Sequence, residues 1–235
     1  MRGGRRGASQ TAAVTNTDVS RPPSKNTPIR CKNTHIVSKD QKSKLKIRSA
    51  DRILERKITM EKVKVNKNIF MIGFMGSGKT SVSLQLADMT GLPKAEMDQI
   101  LVDREQMSIA EIFAQKGEPY FRAQETELLK EFGTTGPQIV SCGGGVAMRE
   151  ENVEEMRRSG MIICLTATPD VIYERVKDSR ERPILNGNMN VEYIAGLMEA
   201  RRPFYEKAAS VIIDTSHMRI DQVAEAVLAA VSAAE

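Results

Sequence analysis

The sequence predicts an α/β domain: a three-layer sandwich in which helices cover both faces of a five-stranded parallel sheet. Three observations predict it. From residue 68 onward, short apolar runs alternate with amphipathic helical stretches, the pattern of strands buried on both faces and joined by crossover helices. One such junction is a strand, a glycine-rich turn and a helix in direct succession. The 235-residue chain suits one core plus a tail, and none of its apolar runs approaches the roughly 20 residues that a bilayer-spanning helix needs.

In order, the expected strands are Ile69 to Gly73, roughly Pro93 to Met97, Ile139 to Cys142, Met161 to Leu165 and Val211 to Asp214. Helical periodicity fills the gaps from Lys79 to about Met89, Ser108 to Gln115, Glu118 to Phe132, Glu150 to Arg158, Pro169 to Lys177, Val191 to about Lys207, and Ile220 to Val231. Ligands of such sheets lie beyond the carboxyl ends of the strands. Three cysteines (Cys31, Cys142, Cys164) without C-x-x-C spacing and two histidines (His35, His217) argue against a disulfide framework and a zinc site. Cys142 and Cys164 read as small apolar residues on buried strands.

The net charge of +5 is unevenly distributed. Residues 1–50 carry 12 Lys/Arg against 2 Asp/Glu, and the remainder carries 23 against 28. Basicity therefore belongs to a leader, residues 1–59, that has no sustained period and too little apolar surface to fold alone. A transit peptide, a nucleic-acid-binding arm and sequence foreign to the native protein are the competing explanations. A start at Met60, directly ahead of the first strand, is the favoured one, which makes residues 60–235 the domain.

The glycine-rich turn is Gly73-Phe74-Met75-Gly76-Ser77-Gly78-Lys79-Thr80. Glycines let successive N–H groups face an anion, and the following helix N-terminus adds partial positive charge. Lys79 is placed for the β and γ phosphates and the Thr80 hydroxyl for Mg²⁺. The fold is therefore of the P-loop NTPase type. The chain is short for a motor, and the Asn-Lys-x-Asp box of GTPases is missing, which leaves a small-molecule kinase or a binder derived from one.

Three clusters are expected beyond the strand ends. In Glu96-Met97-Asp98 the i, i+2 spacing puts two carboxylates on one side of an extended chain; a solvated pair capping the next helix is the plainer alternative. In Gly117-Glu118-Pro119-Tyr120-Phe121-Arg122-Ala123-Gln124-Glu125 the carboxylate of Glu125 can orient the Arg122 guanidinium to grip a substrate carboxylate. The same i, i+3 pair also reads as an ordinary surface pair. Gly143-Gly144-Gly145, directly after a strand, allows close approach of backbone to a small ligand, or is a flexible turn.

Together with the Arg182-Pro183-Ile184-Leu185 segment and Ala200-Arg201-Arg202-Pro203-Phe204-Tyr205, these motifs occur in the order found in shikimate kinases. The chain resembles that family from Asn68 to Thr215, with Asp98 and Arg122 24 residues apart in the family's register. The resemblance implies a nucleoside monophosphate kinase-like fold and transfer of the γ-phosphate of ATP to the 3-hydroxyl of shikimate. It implies ATP binding by Gly76, Ser77, Gly78, Lys79, Thr80, Ser81, Arg175 (near adenine) and Arg182. Asp98 would accept the proton of the attacking hydroxyl, while Arg122 and Arg201 bind the carboxylate of shikimate. Gly143, Gly144 and Gly145 would close over its ring, and Phe113 and Phe121 would wall the pocket, although both also read as core. Arg182 would act as a lid arginine in segment 178–190, and Lys79, Asp98 and Arg182 would be the catalytic set.

Mg²⁺ with ATP, the cytoplasm (or an organelle such as the plastid, if the leader is a transit peptide), a monomer, and neither membrane nor nucleic-acid partners complete the expectation. The chain departs from the family at Glu96, where Asp is frequent, at Leu101-Val102 in place of Ile-Glu, and at Gln106 in place of Gly. His217 and Arg219 stand where a basic residue near adenine is common and are left unassigned. A non-catalytic ligand sensor, or a kinase for another sugar acid, are the competing readings.

Overall fold

The computed structural model describes residues 65–177 and 190–234. The basic leader lies outside the described residues, as do Arg182 and the rest of its expected lid segment up to residue 189. Five strands form one parallel sheet in the order β2-β3-β1-β4-β5: β1 (Asn68–Ile72), β2 (Lys94–Glu96), β3 (Ile139–Ser141), β4 (Gly160–Thr166) and β5 (Val211–Asp214). Each strand falls within one or two residues of its expected position, and the α/β three-layer class holds.

Strand side chains alternate between the two faces, so β1 divides its residues between two cores. Ile69 and Met71 join Ile139, Ile163 and Leu165 beneath two helices, α1 (Lys79–Thr90) and α8 (Ile220–Ala233). Those helices contribute Val82 and Leu86, and Val223, Val227 and Leu228. Phe70 and Ile72 face the opposite core with Val140, Ile162 and Cys164. Among the described residues, that face is covered by six helices in between: α2 (Met97–Glu105), α3 (Ile109–Lys116), α4 (Glu118–Phe132), α5 (Glu150–Ser159), α6 (Pro169–Val176) and α7 (Val191–Ala208). Cys142 and Cys164 are both buried free thiols, as their apolar surroundings suggested, and burial raises both pKa values, that of Cys164 to about 11.

The periodicity missed α2. The acidic pair was expected on one extended chain, but β2 ends at Glu96 and Asp98 lies in the first turn of α2. Two forces turn the chain there. Met97 is fully buried in the core, and an aspartate in the first helical turn is favoured by the helix dipole. The helix closes at Gln106, whose φ of +54° makes it the non-glycine residue with positive φ among those described. Ser108 then starts α3 through a capping box with Glu111, its backbone N–H donating to Glu111 Oε2 at 2.8 Å.

Candidate active site

At the carboxyl ends of the strands lies one cleft of about 1410 Å³. It gathers Gly76, Ser77, Gly78, Lys79, Thr80, Ser81 and Arg175 on one side, and Asp98, Arg122, Gly143, Gly144, Gly145 and Arg201 on the other. Every expected site residue except Arg182 is therefore in one place.

Backbone geometry shapes the first side. Gly73, Gly76 and Gly78 have φ values of +136°, +74° and +101°, a region that L side chains avoid. A Cβ on Gly73 would lie 2.1 Å from the Leu165 carbonyl oxygen, and one on Gly76 2.7 Å from Val176 Cγ1. The turn is thus pressed against β4 and α6. Lys79 Nζ donates to the carbonyls of Gly73 (2.9 Å) and Phe74 (3.1 Å), which holds the ammonium over the loop.

Two residues brace this loop from elsewhere in the chain. Arg175 donates to the Gly76 carbonyl at 3.1 Å, to Thr215 Oγ1 at 2.9 Å and to the Thr215 carbonyl at 2.8 Å. Buried Thr215 donates in turn to the Ser77 carbonyl at 3.1 Å. Nothing local in the chain marks Thr215, whose role depends on a contact across 138 residues. Met218 and Ile220 line the cleft beside it, Ile220 with half its surface exposed.

Thr80 Oγ1 donates a long hydrogen bond of 3.4 Å to Glu96 Oε2. A hydroxyl and a carboxylate at the mouth of a phosphate loop make an oxygen donor set that fits a hard cation such as Mg²⁺. Donation to Glu96 would leave the lone pairs of the Thr80 oxygen for a metal.

Side chains shape the other side. Arg122 bonds Glu125 Oε2 through Nη1 at 2.8 Å and Glu118 Oε1 through Nη2 at 2.8 Å and Nε at 3.1 Å. It also rides over Phe121 (5.5 Å) and Phe113 (5.9 Å), which pack edge to face with centroids 5.0 Å apart. Both aromatics therefore wall the cleft, and Phe121 is core as well. Arg201 lies over the Phe74 ring at 5.6 Å.

Glu125 is fully buried, and its Oε1 has no hydrogen-bond partner among the described residues. Burial pushes its carboxyl above the usual range, with the negative charge of Asp98 adding to the effect and the contact with Arg122 opposing it. Arg122–Glu125 is thus no surface pair, because one partner is wholly inside.

The three glycines fit where these groups converge. A Cβ on Gly143 would sit 2.7 Å from Asp98 Oδ1 and 2.9 Å from Glu125 Oε1; one on Gly145 would sit 2.5 Å from Arg122 Nη1. On Gly144 it would stand 3.8 Å from Arg201 Nη1 and 3.9 Å from the Gly73 carbonyl, so the two sides of the cleft meet there. Tyr205 Oη donates to the Gly144 carbonyl at 2.6 Å. Burial raises its phenol pKa to about 12, which keeps it a donor. Asn152, also fully buried, donates to the Val146 carbonyl at 3.1 Å and accepts from Thr126 Oγ1 at 2.7 Å, tying the glycine turn to α4. Tyr205 sits inside a motif that drew notice for Arg201; Asn152 left no signal at all.

A five-stranded parallel sheet with this order, a phosphate loop after β1 and a walled cleft beyond the strand ends define a P-loop small-molecule kinase. A family model described as shikimate kinase matches residues 75–232. The shikimate kinase of Thermodesulfovibrio yellowstonii is 40% identical over 162 residues, 69% of this chain and 93% of the relative. That of Dehalococcoides mccartyi is 37% identical over 163 residues, covering 69% and 92%. A solved shikimate kinase from Acinetobacter baumannii, in complex with shikimate, superposes with a TM-score of 0.69 at 25% identity over 75% of this chain and 98% of that one. For the Aquifex aeolicus enzyme the TM-score is 0.61, at 33% identity over 71% and 97%. The chain belongs to the shikimate kinase family.

Proposed function

We infer that this protein is an ATP-dependent shikimate kinase, transferring the γ-phosphate of ATP to the 3-hydroxyl of shikimate and releasing ADP and shikimate 3-phosphate. The observation that carries the reading is the meeting of the two sides of the cleft at Gly144, which sets a carboxylate and two guanidiniums opposite the phosphate loop. Phosphoryl transfer asks the protein mainly for positioning and charge neutralisation, and both are built here.

The loop N–H groups and Lys79 hold the β and γ phosphates, while Arg175, Met218 and Ile220 flank the base. Thr80 would hold the Mg²⁺ that accompanies ATP directly and Glu96 would hold it through water, and the ion would supply positive charge to offset what develops on the phosphates. Arg122, held rigid by Glu118 and Glu125, and Arg201, held over Phe74, grip the substrate carboxylate. The same grip presents the hydroxyl to Asp98, which takes its proton as the oxygen attacks. Gly143 to Gly145 offer a side-chain-free surface for the ring. Arg182 is proposed as the lid arginine that closes over the phosphates. The enzyme is proposed to act as a monomer. No helix among the described residues is long and apolar enough to cross a membrane, and we place the enzyme in the cytoplasm.

The test is a coupled ADP-release assay on the full chain with ATP, Mg²⁺ and, in turn, shikimate, quinate and gluconate. Release should require shikimate, and Lys79→Met or Asp98→Asn should lower it by about 10² or more. If the unmutated protein turns over ATP equally with or without shikimate, the reading fails.

A further inference from the structure

Lys94 and Glu96 are two residues apart on β2, so their side chains leave the strand on the same face, the one turned toward α1, while Ala95 between them enters the opposite core. The Lys94 ammonium pairs with Glu96 Oε1 at 3.1 Å, and Thr80 approaches the other oxygen, Oε2, at 3.4 Å. Both partners of the ion pair are only about a quarter exposed, at 26% and 24%, which protects the pair from full screening. Glu96 is thus shared between an ammonium on one side and the threonine of the phosphate loop on the other. Its extra methylene relative to aspartate gives it the reach to span them.

We propose that Lys94 is a positioning residue that sets the divalent-cation affinity of this site, by competing with the cation for the Glu96 carboxylate and by adding a positive charge beside it. The inference rests on the reading of the cleft as an Mg·ATP site. A hard cation draws on negative oxygens, and Lys94 neutralises half of the carboxylate that faces this one. The consequence is a deliberately moderate hold on the metal, which eases departure of the metal with ADP after each turnover.

The experiment is a Mn²⁺ titration of the full chain saturated with ADP, read by electron paramagnetic resonance as the fall in free Mn²⁺. Lys94→Met should tighten Mn²⁺ by about three- to tenfold, and Lys94→Arg, which keeps the charge, should stay within about twofold of the unmutated protein. In the Glu96→Gln background the effect of Lys94→Met should shrink by at least about half, because the shared carboxylate is gone. Unchanged or weakened Mn²⁺ binding by Lys94→Met overturns the proposal, and so does an effect of the same size in the Glu96→Gln background. Shikimate-dependent ADP release measured on the same preparations separates this failure from failure of the kinase reading: turnover intact with an indifferent titration sinks the Lys94 proposal alone.

Discussion

The two sides of the cleft are built by different means. The phosphate side is one stretch of chain whose shape is fixed by main-chain torsions at Gly73, Gly76 and Gly78 and by contacts of that main chain with β4 and α6. On the acceptor side, Asp98, Arg122, Gly143 to Gly145 and Arg201 come from four separate segments, held together by ion pairs, ring stacking and a few buried hydrogen bonds. Phosphates are the same in every ATP, so a rigid backbone cradle suits them. An acceptor must be recognised by its own carboxylate and hydroxyls, and side chains on several elements can be placed for that. The difference teaches that identical substitutions on the two sides should fail in different ways.

Alanine at glycine is the sharpest test. Gly73→Ala combines a φ that alanine resists with a Cβ only 2.1 Å from a carbonyl oxygen on a central strand. It should cost about 3 kcal/mol or more of stability, or prevent folding, as read by urea denaturation. Gly145→Ala meets no such backbone obstacle, since its φ is −99° and the Cβ would press on a side chain, the guanidinium of Arg122. It should cost less stability than Gly73→Ala, about 1 to 2 kcal/mol as the pair with buried Glu125 is strained, and raise KM for shikimate about tenfold through the displaced guanidinium, leaving KM for ATP alone. Equal loss of stability in the two variants would erase the contrast.

A second test separates the sides by pH. Glu125, buried behind Arg122, has its native pKa raised above the ordinary value of 4.5. The native state therefore holds this proton more tightly than the unfolded chain does. Below 4.5 both states are protonated and no cost arises; as pH rises through the raised native value, the cost of a buried carboxylate appears in full and stability falls. Glu105, Glu111, Glu131, Glu150, Asp214 and Asp221 have lowered pKa values and push the other way, losing stability as pH falls. Subtracting the stability of Glu125→Gln from that of the unmutated protein at each pH removes those shared contributions. The difference should decline with pH above 4.5. A flat difference would show that Arg122 fully compensates the burial.

The same contrast governs what could be seen in the sequence. Phosphate-side residues are contiguous, and each glycine answers a local torsion, so the motif and its flanking strand and helix were readable without a fold. The strands were readable because parallel strands buried on both faces are continuous apolar runs. On the acceptor side, Arg122 with Glu125 could be read locally only as a surface pair, because nothing local reveals that Glu125 ends at zero exposure. Only the joint order of the motifs, through the resemblance to shikimate kinases, brought Asp98, Arg122 and Arg201 into one site. Thr215 and Tyr205 went unseen because each acts by a hydrogen bond to backbone far away in sequence, and Asn152 because the hydroxyl it accepts from, that of Thr126, lies on another helix. Helix α2 escaped for another reason: its buried residues are Met97 and Leu101, too few to set up a helical period.

The smallest effect concerns the far end of that helix. Gln106 closes α2 in the left-handed region, where a residue with a Cβ is strained by about 1 kcal/mol relative to glycine. Its side chain recovers part of this by donating to the Asp103 carbonyl, a bond exposed to solvent and therefore weak in net terms. Gln106→Gly removes the strain and the weak bond together and loosens the unfolded chain, so the net gain should be about 0.5 kcal/mol, a rise of one or two degrees in Tm. Because Asp98 sits in the first turn of α2 and Gln106 beyond its last, KM for shikimate should not move. A fall in Tm would mean that the side-chain bond outweighs the torsion. A changed KM would mean that the acceptor side depends on the exact end of α2, and so is tied to backbone geometry after all.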